Sequence, residues 1–446
     1  MKRLIRGVTV WDGADRLIQD GGILIAGETI EAVFTREELS QQELPPSVEE
    51  VDGTGKLAIP GLINAHTHLY SSLARGMAVS PFAPTSFSEI LEQLWWRLDK
   101  ALDAETVRVS GLVGAMEAAR CGVTTLIDHH ASPNAVPGSL DTLREVVCQQ
   151  VGLRGAFCYE TSDRDGEAIR SQGIAENLAF LEDEATRDAM SAALFGLHAS
   201  FTLSDETLET VAGQLPEGTG IHIHVAEGPE DEVQCVDKHG LRVVERLHHF
   251  GLLKPTSILA HCLHLNVVEK ELIAERDAIV IHNPRSNMNN AVGTFDLNGF
   301  LDRGVLTGLG TDGLGANMLA EVFTAGILQK HASGDPLAGG FGTLNPLLFE
   351  NNPKIVERLF GVRVGRIAPG YAADIALLDY LPPTPLTGQN VLGHLLFGIA
   401  VHGLHVMDLF VAGRPILCEG RFVDLDKDAI YAQARDAARK LWGRLA

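Results

Sequence analysis

Histidine-containing motifs follow one another along the chain in a fixed order, and their residue types are those that bind transition metals. In the first motif, HTH, His66 and His68 are two residues apart, so on a strand both imidazoles point to the same side. HIHVAE with His224, AHCLH with His261 and GTDG with Asp312 follow. Three neutral imidazoles and one carboxylate suit Zn²⁺ and leave an open position for water. The sequence therefore predicts a metal site with His66, His68, His224 and Asp312 as ligands.

One HxH pair alone is weak evidence in this composition. The chain has 17 histidines among 446 residues, so about 0.6 such pairs are expected by chance. A second pair, His222 and His224, is indeed present. The order of the four motifs along the chain is the stronger evidence for a metal site, because chance does not readily give such an order. We interpret His130 and His222 as structural residues or as neighbours of the ligands.

A metal site with an open position predicts hydrolysis by an activated water. Zinc lowers the pKa of bound water to about 7, so hydroxide is available at neutral pH to attack an electron-poor ring carbon. Asp312 can also orient this nucleophile. Glu227 follows His224 by three residues, far enough to neighbour the metal without ligating it. It is our candidate general acid/base, which protonates a ring nitrogen and then helps ammonia leave.

The metal motifs lie at or near the C-terminal ends of short β-rich runs. Helical stretches such as AETVRVSGLVGAMEAARCG separate these runs, which is the alternation of a parallel βα sheet. Eight such units predict a closed barrel with its active site at the C-terminal ends of the strands. The eight runs are LINAHTHL, TTLIDHHA, RGAFCYET, LFGLHAS, IHIHVAE, SILAHCLHL, AIVIHNP and LTGLGTDG.

Both ends of the chain consist of short strands separated by turns. LIRGVTVWDG and GGILIAGETIEAVF near the start share this texture with GRIAPGYAADIALLD and HVMDLFVAGRPILCEGRFV near the end. We predict that residues 1–56 and 368–446 fold together into a β-domain that includes a C-terminal helix. Residues 57–367 then form the barrel.

Composition limits the possible partners and the compartment. The net charge of -22 disfavours binding to nucleic acid and acidic membranes, which leaves a small-molecule substrate.

The cysteines and the N-terminus indicate the compartment. Six cysteines at irregular distances, without a CxxC pair, are expected to be reduced, mostly buried thiols. The N-terminus lacks a signal peptide's apolar region, and no stretch approaches roughly 20 apolar residues. We expect a cytoplasmic protein.

The chain resembles the amidohydrolase superfamily, in particular its cytosine/adenosine/guanine deaminase and triazine hydrolase group. PGLINAHTHL, HVAE, AHCLHL, HNPRSN, GTDG and IAPGYAADIALLD carry this resemblance. HTHLYSSLARGM, FSEILEQLWWRLDKAL and IDHHASP further resemble the aminohydrolase branch labelled SsnA. The resemblance implies an α/β fold, a distorted (β/α)8 TIM barrel with a small composite β-sandwich built from both chain ends. It also implies one divalent ion per chain on the ligands assigned above, and it places His261 beside the attacking water.

Two departures from the family pattern narrow this expectation. Guanine-deaminase-like members carry Gln three residues after the second metal His, where this chain has Ser71, so guanine-type recognition is not expected. Binuclear relatives place a carboxylated Lys at the end of the fourth run, where this chain has His198, so one metal is expected. Residues predicted to line the pocket are His198, His129, Trp95, Trp96, Arg285 and Asn287.

These observations predict an aminohydrolase that deaminates a small nitrogen heterocycle, such as a purine, pyrimidine or pterin, by metal-hydroxide attack with release of ammonia. The expected cofactor is Zn²⁺, with Fe²⁺ or Mn²⁺ as alternatives, and the expected assembly is a homodimer. Ring opening of a cyclic amide or ureide and triazine dechlorination are the alternative reactions. A catalytically inactive metal-binding scaffold is disfavoured, because a structural zinc site is closed and would not need Glu227 and His261.

Overall fold

The computed structural model describes residues 2–186 and 188–445. The chain begins with strands that bury apolar side chains on both faces. Ile5 and Ile23 pack into one small core, and Leu4 and Leu24 pack with Leu39 in another. Thr35 caps the one short helix in this part through a reciprocal capping box with Glu38. The elements are β1 (Lys2–Trp11), β2 (Leu17–Ala26), β3 (Thr29–Phe34), α1 (Arg36–Ser40), β4 (Glu49–Asp52) and β5 (Lys56–Pro60).

The middle of the chain forms a barrel of parallel strands, each buried along its length as expected when helices cover the outside. Its strands are β6 (Leu62–Thr67), β7 (Val123–His130), β8 (Arg154–Tyr159), β9 (Ser191–Ala193), β10 (Phe195–Ala199), β11 (Ile221–Val225), β12 (Ile258–His261), β13 (Ile279–His282) and β14 (Thr307–Leu309).

Two parallel sheets, β6 to β9 and β10 to β14, close this barrel. Single bridges join them, from Thr161 to Leu197 and from Thr67 to Asp312. Only Leu194 separates β9 from β10, so these two strands fill one position and the barrel has eight. The broken fourth position and the isolated bridges make the barrel distorted, which confirms the predicted fold class.

Helices connect the barrel strands. Two short helices, α2 (Phe87–Ile90) and α3 (Trp96–Ala101), are joined by a π-helical turn, Leu91–Trp95, and lie in the long connection after β6. The remaining helices of this part are α4 (Ala104–Arg120), α5 (Ser139–Arg144), α6 (Glu167–Glu182), α7 (Asp205–Gln214), α8 (Pro229–His239), α9 (Val243–His249), α10 (Val267–Glu275), α11 (Pro284–Asn289), α12 (Leu297–Leu301), α13 (Met318–Ser333), α14 (Phe341–Pro346) and α15 (Asn352–Phe360).

The C-terminal strands return to the sheet made by the N-terminal ones. β15 pairs antiparallel with β5, with Ile375 opposite Pro60, and this ladder joins the two chain ends in one nine-stranded sheet. The fold class, with a β-domain built from both chain ends, is therefore confirmed, and the domain bounds at residues 56 and 367 stay a prediction. Its C-terminal elements are β15 (Ile375–Asp379), α16 (Val391–Gly393), β16 (Val406–Val411), β17 (Arg414–Cys418), β18 (Arg421–Phe422) and α17 (Lys427–Gly443).

The last helix packs back onto the barrel. Trp442 Nε1 on α17 donates to the carbonyl oxygen of Leu73 (2.8 Å), and Lys440 pairs with Glu105 at the start of α4. None of the six cysteines forms a disulfide. Within residues 2–186 and 188–445, no helix is both long and apolar enough to span a membrane.

Candidate metal centre and active site

The barrel brings the four predicted ligands to one point at the C-terminal ends of its strands. Nε2 of His68 lies 3.2 Å from Nε2 of His224 and 3.0 Å from Oδ1 of Asp312. Nε2 of His66 lies 3.8 Å from the same Oδ1. Four ligands in a tetrahedron with bonds of about 2.0–2.1 Å lie about 3.3 Å apart. The separations of His68 from His224 and from Asp312 match this value.

The candidate ligands fall in two overlapping groups, within each of which the donor atoms lie within 4.8 Å of one another. The groups are His66, His224, His261 and Asp312, and His68, His129, Glu160 and His224. The cluster can therefore hold a cation, and His261 and Glu160 lie close enough to be further candidate ligands.

Neighbouring groups fix the other ring nitrogen of each imidazole and so aim each Nε2 at the same point. Such outer contacts set the tautomer of metal-binding histidines. The Nδ1 bonds run from His68 to the carbonyl oxygen of His129 (2.6 Å), from His224 to that of His198 (2.9 Å), and from His66 to Nε2 of His222 (2.8 Å).

Burial and neighbouring charges change the pKa values of the candidate ligands. Loss of solvent lowers the pKa of His66 and His224 well below the usual value, so both rings are neutral, as metal ligation requires. His68 differs: burial opposes its charged form, but the hydrogen bond and charge of Asp312 raise its pKa to about 9. Burial alone would raise the pKa of Asp312, but the protonated ring of His68 in turn holds it below its usual range. A bound cation would take the place of the proton on His68. Nε2 of His66 is buried without a hydrogen-bond partner, and a cation would satisfy it.

Glu227 and His261 lie next to the ligand cluster and contact each other. Oε2 of Glu227 is 3.3 Å from Nε2 of His261, and its Oε1 accepts a hydrogen bond from Asn290 (3.0 Å). Burial raises the pKa of Glu227 to about 7, and the charge of Asp312 acts in the same direction. A carboxyl group with this pKa can both accept and donate a proton near neutral pH.

Backbone turns at the strand ends aim several of these side chains. Ala226, His261 and Asp312 have φ of 45°, 73° and 54°, in the left-handed region that residues other than glycine seldom adopt. Ala226 directly follows β11, His261 ends β12, and Asp312 lies three residues after β14. The turn at Asp312 is held by backbone hydrogen bonds from Thr311 and Asp312 to the carbonyl oxygen of His66, both 3.0 Å. The barrel closure thus fixes the carboxylate against the first ligand.

A cleft lined by aromatic and charged side chains lies next to the ligand cluster. Trp95 at the end of the π-helical turn and Trp96 at the start of α3 line it, and so does His198 near the end of β10. The rings of Trp96 and His198 lie 6.0 Å apart in an edge-to-face arrangement. Flat apolar surfaces of this kind suit a planar ring.

The structure separates the other three predicted pocket residues from this cleft. His129 is fully buried, with Nε2 donating to the carbonyl oxygen of His222 (3.1 Å). Asn287 accepts a hydrogen bond from Nδ1 of His261 (2.8 Å) and so positions that ring. Arg285 does not line the cleft; its guanidinium faces Glu321, 3.4 Å away.

A charged wall of Asp99, Glu160 and Arg164 lines the cleft and was not predicted. Arg164 donates to Asp99 and lies 3.5 Å from Glu160. Burial raises the pKa of Asp99 to about 7. Burial also opposes ionisation of Glu160, but His198, His129 and Arg164 hold its pKa well below the usual value. Because Glu160 directly follows β8, a search of every strand end for any ionisable residue would have found it.

The sequence is similar to a known protein family and to full-length relatives over most of the chain. The amidohydrolase family model matches residues 57–397. A 5'-deoxyadenosine deaminase of Methanopyrus kandleri is 33% identical over 435 residues, covering 96% of this chain and 96% of that protein. A 5-methylthioadenosine/S-adenosylhomocysteine deaminase of Pelotomaculum thermopropionicum is 30% identical over 450 residues, covering 99% of each.

Solved structures share the fold over nearly the whole chain. An adenosine deaminase from Xanthomonas campestris with bound zinc matches with a TM-score of 0.83 at 24% identity, covering 98% of each chain. A zinc complex of atrazine chlorohydrolase from Arthrobacter aurescens matches with a TM-score of 0.79 at 21% identity, covering 98% of this chain and 100% of that one. As the motifs indicated, this chain belongs to the amidohydrolase family.

Proposed function

We propose that the protein is a zinc-dependent aminohydrolase that removes an exocyclic amino group, as ammonia, from the purine of an adenosine-type nucleoside. The observation that carries this proposal is the position of Glu227. Its carboxyl group, with a pKa of about 7, lies beside a buried cluster of three imidazoles and one carboxylate, on the wall of an aromatic cleft. This pairing of a cation site with an acid/base serves hydrolysis at an electron-poor carbon.

We assign His66, His68, His224 and Asp312 as the zinc ligands. The short separations of Nε2 of His68 from Nε2 of His224 and from Oδ1 of Asp312, together with the unpartnered Nε2 of His66, support this assignment. A bound zinc ion would supply an acidified water as the nucleophile. Ser286 donates a hydrogen bond to Oδ2 of Asp312, which fixes the carboxylate that orients this water.

We assign proton transfer to Glu227 and positioning of the water to His261. Nδ1 of His261 donates to Asn287, so in the neutral ring Nε2 is an acceptor that can hold a hydrogen of the water. Glu227 lies next to that nitrogen and can take the second proton. It passes this proton to the ring nitrogen as the water oxygen bonds to the ring carbon. The proton left on that oxygen then moves through Glu227 to the amino group, so the carbon–nitrogen bond breaks, ammonia leaves and the carbonyl forms. Asn290 keeps the carboxyl group in place.

The full-length relatives support an adenosine-type substrate. Their names specify deamination of 5'-deoxyadenosine, 5-methylthioadenosine or S-adenosylhomocysteine, which favours deamination over ring opening. The likeness to atrazine chlorohydrolase extends to the fold alone. Trp95 and Trp96 offer flat surfaces to a purine, and carboxylates outnumber the basic side chains around the cleft. This charge balance favours a substrate without phosphate.

A homodimer and a cytoplasmic location complete the proposal. Six unpaired cysteines are typical of a reducing compartment. A homodimer agrees with the apolar face described in the next subsection. Neither feature enters the chemical step.

Ammonia release from a substrate panel tests the function. Zinc-loaded protein and a Glu227→Gln variant would be incubated with 5'-deoxyadenosine, methylthioadenosine, adenosine, guanosine and cyclic ureides, with ammonia and ultraviolet change recorded. We expect ammonia from at least one adenosine-type compound and a loss of roughly 10³-fold or more in the variant. Glu271→Gln, which alters an exposed glutamate on α10, is the control and should retain activity. Spectral change without ammonia would indicate ring opening, and no reaction across the panel would refute the deaminase assignment.

A further inference from the structure

Two segments of the chain lack charged residues. Residues 380–407, 28 positions, contain no Asp, Glu, Lys or Arg, and neither do residues 336–349. With 21% charged residues in the chain, the longer segment would carry about six at average composition. Charge is therefore excluded from these segments in a protein that is otherwise strongly acidic.

The fold brings parts of both segments together against α13. The ring of Phe397, in the π-helical turn His394–Ala400, lies 5.7 Å from that of Phe323 on α13 and 6.3 Å from that of Phe341 on α14. Ile327 lies one turn beyond Phe323, and Val401 one turn beyond Phe397, on the same helix faces. We call these five residues the uncharged face.

The uncharged face is open to solvent in the single chain. Phe397 is 58% exposed, Val401 53%, Ile327 45% and Phe341 43%. At about 200 Å² for an aromatic side chain and less for an aliphatic one, these fractions amount to roughly 400 Å² of apolar surface. A standard interface buries about 800 Å² per partner, of which somewhat more than half is apolar. The face therefore supplies the apolar part of one such interface.

The charge of the chain favours a second copy of the same protein as the partner that binds the uncharged face. Copies of a chain with a net charge of -22 repel each other over most of their surface, and least where charge is absent. A basic partner would instead bind the acidic remainder of the surface. We infer that the uncharged face binds the same face of a second copy across a two-fold axis, which is the commonest arrangement of homodimers.

Sedimentation velocity over a hundredfold range of protein concentration tests this inference. We expect the wild-type protein to have twice the mass of one chain. Phe397→Glu and Val401→Glu each place two like charges in an apolar contact, so each should weaken dimerisation at least 100-fold and shift the mass to that of one chain. Both positions are exposed, so circular dichroism and the melting profile should still report a folded chain.

Val423→Glu is the matched control, because Val423 is 48% exposed but follows β18 in the β-domain. It should sediment as the wild type does. A wild-type protein that remains a single chain at every concentration would overturn the inference, as would glutamate variants that keep the wild-type mass. The readout is mass rather than turnover, so failure of the deaminase assignment would leave this result unaffected.

Discussion

The two sides of the catalytic cleft are built in different ways. The metal side carries the four proposed ligands at the C-terminal ends of barrel strands, where strand pairing restrains the backbone. These ligands are His66, His68, His224 and Asp312. The opposite side takes Trp96 and other residues from inserted helices and loops. Strand ends have little freedom to move, whereas inserted segments vary without disturbing the barrel. The reaction type should thus depend on the first side and the choice of substrate on the second.

The largest expected effect comes from removing a ligand on the metal side. His224→Asn takes away one of three imidazoles from the tetrahedral site, so zinc should be lost. Turnover should fall roughly 10³-fold or more, because several kcal/mol of transition-state stabilisation depends on the ion. Metal content by mass spectrometry and kcat measure both effects. His249→Asn, at an exposed position on α9, is the control. Full activity without zinc in His224→Asn would contradict the assigned ligand set.

The second effect concerns charge on the substrate side. Asp99, Glu160 and Glu230 line the cleft, and Arg164 is already paired with the first two. A phosphate would therefore meet net negative charge. We expect kcat/KM for a nucleoside to exceed that for its 5'-monophosphate about 100-fold, and Glu230→Gln to reduce this ratio several-fold. Equal kcat/KM values for the nucleoside and its 5'-monophosphate in the wild-type protein would show that the charged wall does not discriminate against phosphate.

These two sides also differ in how well the sequence predicted them. The ligand motifs are short and lie at strand ends, so local spacing together with the barrel rule predicted that they converge. Asp99 and Arg164 lie 65 residues apart in sequence and meet only through tertiary packing, which no local pattern encodes. Arg285 was expected to line the pocket, but it lies near the start of α11 and its guanidinium pairs with Glu321 instead.

Trp96→Leu should have a smaller effect, confined to substrate affinity. The indole of Trp96 lines the cleft and packs against His198. Loss of an aromatic contact costs about 0.5–1.5 kcal/mol, which corresponds to an increase in KM of roughly 2- to 13-fold. Zinc content should stay stoichiometric, in contrast to His224→Asn. If Trp96→Leu also lost zinc, the cleft side could not be separated from the metal side, and the comparison between them would fail.

The smallest expected effect comes from Glu232 on α8, the helix that follows β11. It changes the free energy of unfolding rather than catalysis. Burial and the neighbouring Glu269 raise the pKa of Glu232 on α8 to about 9, although Arg242 lies 3.2 Å away. The folded chain keeps this proton up to about pH 9, whereas the unfolded chain loses it above about pH 4.3. The folded state thus binds more protons across this window, and its stability falls as pH rises, by at most about 1.4 kcal/mol per pH unit.

Glu232→Gln should flatten that pH dependence, because an amide cannot ionise. Urea unfolding at pH 6 and at pH 8.5 measures the change, with Glu271→Gln as the exposed control. Since Glu232 contacts Arg242 and the backbone of Val243 rather than the cleft, kcat/KM should remain close to wild type. An unchanged pH slope would mean that the folded protein does not keep the proton on this pair of carboxylates. A loss of activity at constant stability would mean that the support behind the strand ends also shapes the substrate side, and the two sides would then not be independent.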